Sequence, residues 1–259
     1  MRLFLAGLEG TGHYTECKDF LDNHVDNFFW LSSYFYARKD KFVLERLPNF
    51  NIENFLLDSG AFTFMSKGLN EDIDKYTSEY IEFINKYNIK YFFEMDIDTI
   101  LGYDKVKELR KTIEDGTGKK CIPVWHKERG IEEFKKHCEE YNYIAIGGLV
   151  GGNINKIKKI LISLIKYANS KNVKIHLLGY NKNDILDYKV FSCDATSWNG
   201  GMYGGLWNWS QEKMYPVKTN RSLERRVSSE KQRELYLHNL KVWEHYQQIL
   251  KYKGYWREQ

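Results

Sequence analysis

The sequence predicts an α/β fold, a single-domain (β/α)8 TIM barrel, on three observations. Its 259 residues match the length of one such barrel and are enough to bury a full core. Short apolar runs alternate with amphipathic stretches along the chain, the rhythm of parallel strands joined by right-handed helical crossovers. Acidic residues and glycines gather where the apolar runs end, which is where barrels of this kind carry their functional groups.

The strand candidates are 2–6, 28–33, 55–58, 90–96, 121–125, 143–146, 174–178 and 190–193. Each is four to seven residues long and rich in β-branched and aromatic side chains. Polar residues barely alternate within them, as expected of strands covered on both faces. Over 72–87, Ile73, Tyr76, Tyr80, Phe83, Ile84 and Tyr87 recur at three- and four-residue spacing and form one apolar stripe of a helix. Segments 131–141 and 154–168 follow the same pattern. A short helix is expected at 181–187, with Asn181 as its N-cap. The last helix, about 222–252, belongs to a C-terminal extension reaching about 256 and is longer than a barrel needs. With no Ser/Gly-rich linker and no low-complexity tract, 1–259 reads as one domain.

Composition narrows the function classes. No window of about 18 uninterrupted apolar residues occurs, so a membrane span is not expected. The opening Met-Arg-Leu-Phe-Leu-Ala-Gly turns polar at Glu9 and His13, too soon for a secretory signal, so a cytoplasmic location is expected. Cys17, Cys121, Cys138 and Cys193 lack CxxC spacing, which argues against a disulfide framework and against a zinc knuckle. A net charge of +4 does not by itself imply nucleic acid. Between 213 and 233, however, Arg221, Arg225 and Arg226 stand in a locally basic stretch. It is either a phosphate-contacting surface or a solvated helix face.

The candidate site follows from the strand ends. The third strand runs into Asp58-Ser59-Gly60-Ala61-Phe62, the fourth into Glu94-Met95-Asp96-Ile97-Asp98, the fifth into Trp125-His126. The sixth ends at Gly147-Gly148, the seventh at Gly179-Tyr180, the eighth at Ser192-Cys193-Asp194. Carboxylates from three strands would then converge on one cavity, an arrangement whose repulsion is usually retained for chemistry or for a polar ligand. Each position has a plainer role. Asp58 could cap a tight turn, and Glu94 could be a buried group with a basic partner. His126 alone is more often structural, and Gly147-Gly148 could merely turn the chain. Trp198, Trp207 and Trp209 are either core packing or platforms for stacking bases.

At these residues the sequence resembles the tRNA-guanine transglycosylase superfamily. Asp58-Ser59-Gly60-Ala61-Phe62-Thr63 is similar to that family's Asp-Ser-Gly-Gly-Phe-Gln loop, and Asp96 follows an apolar strand as its base-recognition aspartate does. Ala145-Ile146-Gly147-Gly148-Leu149 resembles its Ala-Ile-Gly-Gly-Leu segment, and Leu177-Leu178-Gly179 its Leu-Met-Gly strand end. Phe191-Ser192-Cys193 resembles its Phe-Asp-Cys nucleophile segment, with Ser192 where the family has aspartate and Asp194 two residues on. A two-residue step keeps the same side of an extended strand. The matches come in the family's order over roughly 55–198. The family's Cys-rich zinc subdomain has no counterpart, which makes the chain most like the phage DpdA-type 7-deazaguanine DNA transglycosylases.

The resemblance implies base exchange in DNA: guanine is replaced by a 7-deazaguanine of the preQ0 type through a covalent aspartyl-glycosyl intermediate. Asp194 would be the nucleophile and Asp58 the acid-base group. Asp96 would read the purine edge, with Ser59, Gly60, Phe62, Glu94, His126, Gly147, Gly148, Gly179 and Tyr180 around the base. Phe62 or Tyr180 would stack on the ring. Trp198, Arg221, Arg225 and Arg226 would meet the nucleic acid, and the reaction needs no metal and no cofactor. The alternatives are the same exchange on tRNA, a metal-dependent barrel hydrolase built on Asp58, Glu94, Asp96 and Asp194, or a non-catalytic nucleic-acid-binding barrel.

Overall fold

The structure, a computed structural model, describes residues 1–9, 15–24, 26–66, 72–149, 154–180, 182–199, 206–210, 213–217 and 229–254. In chain order the first half runs β1 (Arg2–Ala6), α1 (Thr15–Asp22), β2 (Trp30–Ser33), α2 (Tyr34–Ala37), α3 (Lys41–Arg46), β3 (Phe55–Asp58), α4 (Ala61–Ser66), α5 (Ile73–Lys86) and β4 (Tyr91–Phe92). Then come α6 (Asp98–Leu101), α7 (Tyr103–Thr117), β5 (Val124–Trp125), α8 (Gly130–Glu140), β6 (Tyr143–Ile146), α9 (Ile154–Ser170), β7 (Lys174–Leu177) and β8 (Ser192–Ala195). A hairpin of β9 (Leu206–Ser210) and β10 (Lys213–Val217) precedes α10 (Ser229–Lys253).

The first eight strands form one curled sheet in the order β4-β3-β2-β1-β8-β7-β6-β5, with every pairing parallel. The closed ring expected from the sequence is not drawn as a continuous ladder. The edges β4 and β5 meet through the single Phe93–Ile122 bridge, where Ile122 N–H donates to Phe92 O at 2.8 Å and Glu94 N–H to Ile122 O at 3.2 Å. The physical reason lies one residue further on. Val124 N–H donates to the Glu94 side chain at 2.9 Å and Val124 O accepts from the Arg129 guanidinium, so side chains satisfy the backbone that a ladder would use. Strand 90–96 is therefore shorter than the apolar run that predicts it.

Two apolar clusters explain the lack of polar alternation. In β1, Leu3 and Leu5 pack outward with the helices, while Phe4 joins Phe29, Leu56, Phe93, Tyr143 and Phe191 inside the curl. Asp194 stands in register with Phe4 across β8 and β1, so it shares that inner face. The eighth strand starts two residues later than the expected 190–193, which places Asp194 within it.

Helix α5 has the expected stripe, with Tyr76, Tyr80, Phe83 and Ile84 buried and the Asp72 carboxylate accepting the Asp74 N–H as cap. Tyr80 OH ties this helix to Phe93 O at 3.0 Å. The short helix near 181–187 is a 3-10 turn, Asn183–Asp187, with Lys182 at its N-cap position making no side-chain cap bond; Asn181 lies outside the described residues. Helix α10 is not an appendage. Leu240, Trp243 and Leu250 are buried, and the Gln247 amide donates to Leu3 O at 2.8 Å and Phe29 O at 2.7 Å, docking the helix against β1 and the approach to β2. Among the described residues no helix is long and apolar enough to cross a membrane.

Candidate active site

The strand ends open onto one cavity of about 860 Å³, within the range of small-molecule sites. Asp58 from β3, Asp96 from the segment after β4 and Asp194 from β8 all line it, together with His126, Gly147, Gly148 and Gly179. Leu31, Phe93, Leu149 and Leu178 supply apolar wall, and Ser33, Thr196 and Asn199 supply polar groups.

Asp58 ends β3 as the backbone turns at Gly60, whose N–H donates to Asp58 Oδ2 at 3.1 Å. Gly60 has φ +65, and a Cβ there would stand 2.6 Å from Phe35 Cβ and Ser33 Oγ, so this turn requires glycine. Burial pushes the Asp58 carboxyl up to about 6 against the Gly60 hydrogen bond, and the charges of Asp194 and Asp96 add to the rise. A carboxyl in that range gives and takes protons near neutrality.

Asp194 is held from behind. Its Oδ1 accepts the Gly179 N–H at 2.7 Å and lies 3.1 Å from His176 Nε2. His176 Nδ1 is 2.7 Å from Ser192 Oγ, which is 2.5 Å from Tyr143 OH. His176 and Ser192 are fully buried, and Ser192 does not line the cavity.

Asp96 belongs to an acidic series clasped by one arginine. Arg129 donates from Nη1 to Glu94 at 2.7 Å, from Nη2 to Asp96 at 3.0 Å and from Nε to Asp98 at 2.8 Å. Glu94 is fully buried and also accepts Arg110 Nε at 2.6 Å. On the cavity side, His126 Nε2 lies 2.7 Å from Asp96 Oδ2. Burial opposes charge on His126, but the hydrogen bond and charge of Asp96 outweigh it and raise the imidazole above its ordinary pKa. Two donors on Asp96 leave acceptor capacity on its oxygens, since a carboxylate has about four acceptor sites.

Several expected contributors lie elsewhere. Glu94 does not line the cavity; as a buried charge it needs cations, and Arg110 and Arg129 hold it in the sheet seam. Ser59 is buried beneath the turn, where its carbonyl accepts Tyr76 OH at 2.7 Å, and Gly60 serves the turn rather than the wall. Tyr180 is buried with its hydroxyl donating to Asp184 at 2.7 Å, so it does not stack in the cavity. Trp198 is fully buried and donates to Ala6 O at 2.7 Å, which leaves no face for a nucleic-acid base. Arg221, Arg225 and Arg226 lie outside the described residues, as does the side chain of Phe62.

The cavity also holds residues that strand-end reading passed over. Glu9, in the turn after β1, accepts from the Ser32 hydroxyl and from Ser33 N–H at 2.9 Å, and burial raises its pKa. Tyr36, on α2, lines the cavity with 45% of its surface exposed, its ring edge-on to Phe35 with centroids 5.0 Å apart. His176 and Arg129 carry no local motif; their partners come from 18 and 33 residues away.

Asp96, Asp98 and His126 can each offer a ligand atom within 4.8 Å of one another. The Arg129 guanidinium already bonds both carboxylates, so a divalent ion would have to displace a cation with matching geometry. The four cysteines are separately buried, and burial raises their thiol pKa values, which does not suit a thiolate metal site. No protein-family model matches the chain, and no curated protein matches it.

Proposed function

We propose that the chain is a base-exchange transglycosylase of the tRNA-guanine transglycosylase type, a cytoplasmic (β/α)8 barrel that inserts a 7-deazaguanine into DNA. One observation carries the reading: Asp58, Asp96 and Asp194, the residues to which the resemblance gives the three acidic roles, line one cavity. The Phe93–Ile122 bridge between the two sheet edges supports the barrel. The reading of DNA over tRNA rests on the resemblance to the zinc-free branch, and the isolated burial of the cysteines is consistent with it.

A guanine flipped from the stack enters the cavity. The Asp194 carboxylate attacks C1′, the C1′–N9 bond breaks, and its electron pair leaves with guanine, which takes a proton from Asp58. The covalent glycosyl–aspartate then holds the strand intact. The incoming deazaguanine loses its N9 proton to Asp58 and attacks C1′, releasing Asp194. A group with pKa about 6 serves both proton transfers. Asp96 accepts from N1–H and the 2-amino group of the purine edge, an acceptor-only task. Backbone at Gly147 and Gly148 meets the base carbonyl, and Tyr36 takes the stacking role expected of Phe62 or Tyr180.

The test is incubation of purified protein with guanine-containing duplex DNA and labelled preQ0, with tRNA in parallel. Label in DNA supports the proposal, label in tRNA alone moves the substrate to tRNA, and label in neither defeats it. A metal-dependent hydrolase is the second reading, favoured by the Asp96–Asp98–His126 grouping. It requires activity that is lost on chelation.

A further inference from the structure

We propose that His176, backed by Ser192 and Tyr143, is a positioning residue that aims Asp194 at the substrate; the inference rests on the transglycosylase reading and extends it to residues that never touch the base. The chain Tyr143–Ser192–His176–Asp194 runs from the buried floor of the curl to the cavity, with contacts of 2.5, 2.7 and 3.1 Å. A serine, a histidine and an aspartate joined in this way resemble a hydrolytic triad, but the order is reversed. The serine is the fully buried end and the aspartate is the end that lines the cavity, so the group available to react is the carboxylate.

The imidazole cannot swing away. It is fully buried among Phe4, Phe93 and Tyr143, whose ring centroids lie 6.2, 5.3 and 6.5 Å from its own. Proton placement follows from the partners. Tyr143 O–H donates to Ser192, Ser192 O–H donates to Nδ1, and the proton on Nε2 points at Asp194. A proton on Nδ1 alone would set the Nε2 lone pair against a carboxylate oxygen 3.1 Å away. His176 and the Gly179 N–H both fall on Oδ1, which fixes the carboxylate plane and leaves Oδ2 to attack C1′. Ser192 stands where the resembled family has its aspartate, and here it works through His176.

The experiment combines nitrogen-15 histidine NMR on the full chain with steady-state base exchange. Wild-type His176 is expected as the Nε2–H tautomer, and Ser192→Ala is expected to lose that single tautomer. His176→Leu should lower kcat by on the order of 100-fold with the KM for preQ0 unchanged. His176→Gln, whose amide N–H still donates, should recover part of the loss. Ser192→Ala deletes one atom and guards against a folding failure; it should lower kcat in the same direction. An Nδ1–H tautomer, or an unchanged kcat in both His176→Leu and Ser192→Ala, overturns the inference while exchange by the wild type stands. The NMR readout needs no turnover, so an Nε2–H tautomer in a protein that exchanges no base defeats the transglycosylase reading instead.

Discussion

Gly147 lies so close beneath the His126 ring that a Cβ added there would stand 2.4 Å from Cε1 and 2.8 Å from Nδ1. The missing side chain at the end of β6 is what lets His126 reach across to Asp96. Gly147→Ala should therefore push the ring off Asp96 and loosen the Asp96 end of the cavity, where the proposed function places the purine edge. The expected outcome is a KM for preQ0 raised about 10-fold, or ~1.4 kcal/mol, with far-UV circular dichroism unchanged. Steady-state kinetics on the variant check it, and an unaltered KM would separate His126 from base recognition.

Asp58 makes the protein's stability depend on pH in a stated direction. Its folded pKa, about 6, is above the ordinary 3.8, so the native state binds this proton more tightly than the unfolded chain. The contribution is fully present below pH 3.8 and is lost as pH rises through about 6. Discounted for the partial exposure of Asp58 to the cavity, the loss is about 1–2 kcal/mol. Asp58→Asn should remove it. Urea unfolding should show the variant gaining on wild type between pH 4 and pH 7.5 while base exchange is abolished.

Arg129 reaches three carboxylates with three different nitrogens, and Lys cannot copy that geometry. Arg129→Met leaves Glu94 buried with Arg110 as its remaining cation, takes the arginine from Asp98 and leaves Asp96 with His126. A loss of about 3–5 kcal/mol is expected, with little recovery in Arg129→Lys. Thermal and urea denaturation of the two variants measure it. Equal stability of Arg129→Lys and wild type would show that charge alone suffices.

Chelation should leave base exchange untouched. The cavity's acid nearest a metal-ligand set, Asp96, already takes Arg129 and His126 as partners. Activity measured after dialysis against EDTA, and again with added zinc or magnesium, should be equal within error. Loss on chelation and recovery with metal would favour the hydrolase reading.

Much of this architecture can be read from local pattern, and what cannot has physical causes. The run Phe55–Asp58 is found at its bounds because an apolar strand ends in an Asp-Ser-Gly turn. The stripe of α5 is legible because its inner face is apolar or aromatic except for Thr77, whose hydroxyl bonds back to Ile73 O within the helix. Helix α7 escapes the same reading because Arg110 sits on its buried face, where the partner Glu94 comes from another element. The β9–β10 hairpin is hidden by Asn208 and Pro216 within its strands, and its Trp207 and Trp209 read equally well as stacking platforms. At the site, Asp58, Asp96 and Asp194 were accessible because strand ends are where functional groups collect. Glu94 differs from Asp96 only in depth, and depth is set by Arg110 and Arg129, whose distance in sequence hides the pairing. The burial of Trp198 is hidden for a similar reason: its hydrogen bond to Ala6 O spans 192 residues and leaves no trace in the local pattern.

The central claim is that Asp194 bonds covalently to the sugar carbon from which guanine departs. Intact mass spectrometry of protein incubated with guanine-containing DNA, quenched in acid and digested with nuclease, tests it most directly. The account predicts a nucleotide adduct mapped to Asp194, absent in Asp194→Asn and discharged by preQ0. An adduct on another residue, or full incorporation of preQ0 by Asp194→Asn, would contradict it.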